Sequence, residues 1–137
     1  MFDLATESAR GAKDALADYE TLGAFKGGTL CGYACFGPTP STDGTHDLYW
    51  LVVDPASQKS GVGRSLLRGV EQVLARRGAR LLVVETSSRD EYAGTRAFYA
   101  RGGYIEAARV RDFYAPSDDR ITLTTRLTAN KGGVATR

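Results

Sequence analysis

The chain has 137 residues, 42% of them apolar and 25% charged, with a formal net charge of +2. That length supplies one domain, 1–137, able to bury roughly 70% of its unfolded surface, and excludes a second folded unit, while the composition, near the globular average, excludes a disordered or fibrous chain. No run approaches the ~20 apolar residues of a membrane-spanning helix, and Met1 to Glu7 carries acid where a secretory signal carries base, so a cytoplasmic protein with no membrane partner is expected.

The charge is unevenly spread: residues 1–56 carry three Lys/Arg against eight Asp/Glu, and residues 57–111 carry eleven against five. The basic residues are dispersed rather than gathered into a run with interleaved aromatics, which argues against nucleic acid and for a small polyphosphate ligand.

Residues 4–22 have helical composition, with Ala12, Leu16 and Tyr19 at helical spacing. Gly27-Gly28 between two β-prone runs predicts a hairpin of Leu22 to Phe25 with Thr29 to Phe36. Cys31 and Cys35 fall on one face of that second strand as small buried apolar residues, and a single cysteine pair with one histidine, His46, provides no metal site. Gly37 to Gly44 is a loop. Asp47 to Val53 is nearly all apolar and stops at Asp54-Pro55, the pattern of a strand buried on both faces.

Val62, Leu66, Leu67, Val70, Val73 and Leu74 make one face of an amphipathic helix that ends at Gly78. Arg80 to Thr86 is a second buried strand, completing a strand, helix, strand unit. A short helix follows from about Ala93 to Arg101, and Tyr104 to Val110 and Ile121 to Leu127 form an antiparallel pair. The core is expected over about 22–127, with a tail over 128–137.

The loop before the long helix reads Gln58-Lys59-Ser60-Gly61-Val62-Gly63-Arg64. Glycines at 61 and 63 allow close backbone approach to an anion, and the unpaired N–H groups of a helix's first turn point at it, a combination suited to pyrophosphate. The loop lacks the Gly-Lys-Ser/Thr ending of a Walker A motif, and Leu66 stands where a dinucleotide fingerprint needs its third glycine.

Val53-Asp54-Pro55, then Gln58 to Arg64, a helix, a buried strand and Ala97-Phe98-Tyr99-Ala100-Arg101-Gly102-Gly103-Tyr104 together resemble the GCN5-related N-acetyltransferase superfamily. The resemblance implies an α/β (α+β) fold: a mixed, twisted sheet with helices on both faces, whose splayed central strands receive acetyl-CoA. It further implies that the backbone of Leu51, Val52 and Val53 pairs with the pantetheine arm and that Gln58, Lys59, Ser60, Gly61, Val62, Gly63 and Arg64 hold the pyrophosphate. Arg68, one turn on from Arg64, is either a further phosphate contact or a solvated charge.

Acetyl transfer needs a deprotonated nucleophile, an oxyanion donor and a proton for the departing thiolate. By resemblance the oxyanion donor is the N–H of Val52 or its neighbour, and Tyr99 is the general acid. Its alternative is a core aromatic. Glu85 matches a glutamate base of relatives that acetylate protein N-termini, with Asp47, His46, Tyr49 or a water chain as alternatives.

Two departures stand out. Tyr92 occupies the position of an asparagine that binds the CoA arm in many members, so any cofactor contact there differs. The family's first strand and first helix are also expected to be missing, leaving a sheet edge for a homodimer to cover. The expected activity is acetyl transfer from acetyl-CoA, with no metal, to the primary amine of a small molecule or a protein. The alternative is a CoA-binding regulatory or interaction module without turnover.

Overall fold

The computed structural model describes residues 2–10 and 18–128. Seven strands form one sheet: β1 (Asp3–Arg10), β2 (Asp18–Lys26), β3 (Thr29–Pro38), β4 (Thr45–Val53), β5 (Leu81–Ser87), β6 (Ile105–Ala115) and β7 (Asp118–Arg126), in the spatial order β1-β2-β3-β4-β5-β7-β6. Helix α1 (Val62–Arg76) connects β4 to β5, and α2 (Ala93–Arg101) connects β5 to β6. Every neighbouring pair is antiparallel except β4 and β5.

The N-terminus departs from expectation. Residues 3–10 are a strand, paired with β2 from Asp3 opposite Phe25 to Arg10 opposite Asp18. Only three apolar positions supported a helix there, and pairing with β2 outweighs so weak a preference. Leu4 reaches over β2 to α1: a Cβ added at Gly69 would stand 2.7 Å from both Leu4 Cδ1 and Leu22 Cδ2. A first strand is therefore present, and it covers the edge of β2 that was expected to be bare. Ala12 and Leu16 of the expected helix, the connection 11–17 and the tail from residue 129 lie outside the described residues.

The hairpin of β2 and β3 turns at Gly27 and Gly28, with φ of +59° and +83°. Two successive left-handed residues define the tight turn that matches strand twist, which is why glycine fills both places. Register slips once in this pair, leaving Cys31 opposite no residue between Gly32 and Leu30. Both cysteines are free and buried, Cys31 in the main core and Cys35 across from Trp50.

The core lies between the sheet and α1, whose Val62, Leu66, Leu67, Val70 and Leu74 are buried against Leu22, Ala24, Ala34, Phe36 and Leu48. Helix α2 packs beside α1 on the same face, with Phe98 against Gly63 and Gly102 against Leu67. The opposite face carries no helix among the described residues, because the segment expected to be helical supplies β1 and the start of β2. That face displays Leu30, Trp50 and Val52, and Trp50 is 51% exposed.

Strand β4 is accordingly not buried on both faces: only Leu48 is fully buried, while Tyr49, Trp50 and Val52 are exposed. Strand β5 fits the expectation better, with Leu82, Val84, Thr86 and Ser87 buried.

Gly32 sits where β3, β4 and α1 meet. A Cβ there would lie 2.6 Å from Val52 O, 3.1 Å from Val62 Cγ1 and 3.2 Å from Leu66 Cδ1. Gly32→Ala is expected to lower stability by about 1–3 kcal/mol, the usual cost of overpacking, as a reduced urea midpoint at unchanged slope. An unchanged midpoint would show that β3 and α1 are not in close register.

Candidate active site

The site begins where β4 and β5 separate. Their parallel pairing runs from Thr45 opposite Leu81 to Leu48 opposite Val84 and then stops, although β4 continues to Val53 and β5 to Ser87. The parting coincides with a slip in the β3–β4 register: Cys35 faces Trp50 and Phe36 faces Leu48, so Tyr49 is the extra residue of a bulge, a feature that bends a strand. Beyond it β4 bonds only to β3.

The free donors on β4 can be identified. Asp54 N–H donates to Cys31 O at 2.8 Å. Bonded pairs recur every second residue in an antiparallel ladder, so Val52, paired with Tyr33, turns its N–H towards β3. Leu51 and Val53 turn theirs into the opening. Of the donors expected on Leu51 to Val53, only the N–H groups of Leu51 and Val53 face the opening, and Val52 presents its side chain to the exposed face.

A cleft of about 750 Å³ opens on the helix face. Leu51 and Val53 form one wall, Gln58, Lys59, Gly61, Gly63 and Arg64 the second, and Gly94, Thr95, Phe98, Tyr99 and Arg101 of α2 the third. After a helical turn over Pro55–Ser57 the chain passes through two left-handed residues, Lys59 (φ +68°) and Gly61 (φ +90°), and enters α1 at Val62. No side chain caps α1 and no acid lies in its first turn, so its leading N–H groups and dipole face the cleft unopposed. A Cβ at Gly61 would meet nothing within 4 Å, so what calls for glycine there is the backbone angle and the open space beyond.

Most residues singled out in the sequence gather here, with exceptions. Ser60 is exposed outside the lining, its hydroxyl bonded to Ser57 O, and Val62 is buried in the core, which leaves each only its backbone for a ligand. Tyr92 precedes α2 and does not line the cleft; it lies within electrostatic reach of Tyr114 instead. Arg68 does not line the cleft, and it is not a lone solvated charge, since it pairs with Glu71 at 2.7 Å. Gly94, Thr95 and Arg101 also line the cleft, although the aromatic motif of α2 gives no sign of them. A larger hollow of about 880 Å³ near Arg76, Arg126 and Thr128 includes none of the loop residues.

Tyr99 is 5% exposed, its ring edge-on to Phe98 at 5.1 Å and to Tyr104 at 5.4 Å. It is thus both a core aromatic and a wall of the cleft. Burial pushes its phenol up to about 12, which keeps the proton in place as an acid requires.

Glu85 lies elsewhere. A second hollow, of about 480 Å³, opens at the parting strands and is lined by Thr39, Asp47, Leu48, Tyr49, Val83, Glu85 and Tyr114. Glu85 is exposed there, 3.6 Å from Arg120 Nε, and Asp47 accepts from the Thr39 hydroxyl at 2.7 Å. Along β5, Glu85 alternates with the buried Val84 and Thr86, so it projects away from α1 and Tyr99. Tyr99 and Glu85 therefore address the parting from opposite faces. His46 lines neither hollow; its Nδ1 is buried without a partner, and burial, reinforced by Arg77, pulls its pKa down.

Residues 3–104 match the Acetyltransferase (GNAT) family. The chain belongs to that family. Its relatives include the [ribosomal protein bS18]-alanine N-acetyltransferase of Escherichia coli (strain K12), 36% identical over 73 residues, which are 53% of this chain and 48% of that protein. The S-(2-succino)cysteine N-acetyltransferase of Bacillus subtilis (strain 168) is 28% identical over 72 residues, 53% of this chain and 44% of that one. The matched region thus spans about half the length of these relatives. A GNAT-family crystal structure from Desulfovibrio desulfuricans superposes with a TM-score of 0.77 at 44% identity, covering 79% of this chain and 69% of that one. An aminoglycoside 6'-N-acetyltransferase complexed with coenzyme A shares the fold at a TM-score of 0.69 and 18% identity, over 79% of this chain and 72% of that one. The mixed sheet with parted central strands is the acyl-CoA N-acyltransferase fold.

The loop geometry makes Gly61 a test position. Gly61→Asp is expected to abolish acetyl-CoA binding in calorimetry, because a carboxylate would face the pyrophosphate, whereas Gly61→Asn, equal in size and tolerant of the backbone angle, retains part of it. Equal affinities for the two variants would remove the anion from this loop.

Proposed function

We propose that this GNAT-family protein transfers an acetyl group from acetyl-CoA to a primary amine while both substrates are bound. The observation that carries the reading is the parting of β4 and β5, which joins a basic, N–H-lined cleft on one face to an acidic, aromatic hollow on the other.

The chemistry follows from that arrangement. The first-turn N–H groups of α1, with Lys59 and Arg64, take the pyrophosphate. The pantetheine arm runs along β4 beside the free N–H groups of Leu51 and Val53, bringing the thioester into the opening. The acceptor enters from the far hollow, where Asp47, Glu85, Tyr49 and Tyr114 suit an ammonium group. The ammonium loses one proton to Glu85 or to water, the neutral amine so formed makes the C–N bond to the thioester carbonyl, and the nitrogen releases its second proton to water. The oxyanion that develops on the carbonyl is met by a free N–H of β4. The C–S bond then breaks, Tyr99 gives its proton to the thiolate, and solvent restores it.

Tyr99→Phe is expected to lower kcat about 100-fold, the usual worth of general acid catalysis, with acetyl-CoA affinity nearly unchanged. In the unsubstituted protein the acid stays protonated until pH approaches about 12, so no loss of rate from its ionisation is expected below about pH 10. Thiol release followed with 5,5′-dithiobis(nitrobenzoate) across a panel of amines measures both. A loss under about threefold would leave Tyr99 a packing residue, and no turnover with any amine would favour a CoA-binding module.

The same proposal includes a homodimer. Leu30 on the first hairpin and Trp50 and Val52 on β4 expose apolar surface on the face without a described helix, and a symmetric copy is the commonest cover for such surface. Light scattering is expected to give twice the chain mass at micromolar concentration; a monomer would refute it.

A further inference from the structure

Glu71 lies in the middle of α1 with 1% of its surface exposed, and the mechanism above gives it no task. A carboxylate so placed is costly unless it is paired and hydrogen-bonded, and an apolar residue of similar volume often does as well or better for stability. Here the carboxylate joins two donors. Arg68 Nη1 donates to Oε1 at 2.7 Å, and Tyr104 Oη donates to Oε2 at 2.7 Å.

Each partner leads to Tyr99. Arg68 Nη2 donates to the carbonyl of Gly102, the residue that closes α2, at 3.3 Å. The Gly102 N–H donates in turn to Tyr99 O at 2.9 Å, and the Tyr104 N–H donates to the same oxygen at 3.0 Å. The Tyr104 ring lies 5.4 Å from that of Tyr99, at 67°. Glu71 thus ties α1, which carries the phosphate loop at its start, to both the backbone and the ring of Tyr99. An apolar side chain would fill the space but would leave the Tyr104 ring and the end of α2 free to shift.

We infer that Glu71 is a positioning residue, which through Arg68 and Tyr104 fixes the Tyr99 hydroxyl relative to the cofactor loop. The inference rests on Tyr99 being the acid. Glu71→Ala is expected to lower kcat about tenfold or more, since displacement of a reacting group by about 1 Å can cost ~100-fold, with KM for acetyl-CoA held within about twofold. Glu71→Gln keeps an acceptor for Tyr104 and restores part of the rate. Tyr104→Phe, which removes one hydroxyl and keeps the packing, reproduces the kcat loss and serves if Glu71→Ala fails to fold. In a Tyr99→Phe background, either change should cost nothing further, because residues that act through one another are not additive.

A second readout does not depend on turnover. With 3-fluorotyrosine at position 99, the fluorine resonance is expected to move in Glu71→Ala or Tyr104→Phe while calorimetric acetyl-CoA affinity stays the same. An unmoved resonance, a full additional loss in the Tyr99→Phe background, or a raised KM at unchanged kcat would each overturn the inference. A resonance that moves while Tyr99→Phe keeps its rate would instead sink the acid role of Tyr99, and with it the catalytic purpose given to Glu71.

Discussion

The site depends on one interruption: the last hydrogen-bonded contact between β4 and β5 is Leu48 with Val84, and both strands run on without each other. Backbone N–H and C=O groups are almost always paired when buried, so a sheet opened at its centre must present them to water or to a ligand. The bulge at Tyr49 bends β4 away, and β7 takes up the other side of β5 from Leu81 to Ser87. The opening thus costs β4 its partner on one edge only. That edge is extended, unpaired and one strand thick, so a group lying along it can be reached from the far face of the sheet.

Helix α1 keeps the opening in register with the 58–64 loop. Its apolar face is anchored on β2, β3 and β4, so its first turn is held at a fixed distance from the free edge of β4. Gly63 faces the Phe98 ring, with a Cβ position 3.4 Å from Cε1, and this lets α2 come close enough to close the third wall. The buried Glu71 ties the same helix to Tyr104, three residues past the end of α2. The 58–64 loop and Tyr99 are therefore parts of one packed layer, while the hollow beside Asp47 and Glu85 lies on the other side of the sheet and is lined by a different set of residues.

The sequence made the central unit legible because its signals are local. The helical period from Val62 to Leu74, the break at Gly78 and the Gly61-x-Gly63 spacing each act within a few residues, and all appear where expected. So do the glycine hairpin and the aromatic run of α2. What it concealed was set by distant partners. The apolar run of β4 looked like a strand buried on both faces, but Trp50 and Val52 face open surface, because burial depends on whether a helix covers the sheet. The weak helical pattern near the N-terminus yielded to pairing with β2, a contact that no local period encodes. The donor parity of β4, which leaves Leu51 and Val53 rather than Val52 with N–H groups facing the opening, required the ladder itself.

The charge imbalance along the chain acquires a spatial meaning on the parted sheet. Lys59, Arg64 and Arg101 meet at the cleft with the positive end of α1, whereas Asp47 and Glu85 face the hollow behind it. The two sides of one gap thus present groups of opposite charge, with Arg120 standing 3.6 Å from Glu85 on the acidic side. Glu85 comes from the basic half of the sequence and crosses to the acidic side only because a strand alternates its side chains. The same alternation places the buried Val84 and Thr86 on the helix side. The segregation is thus a product of strand geometry as much as of composition, and a one-residue slip of β5 would replace Glu85 in the hollow by Val84 or Thr86.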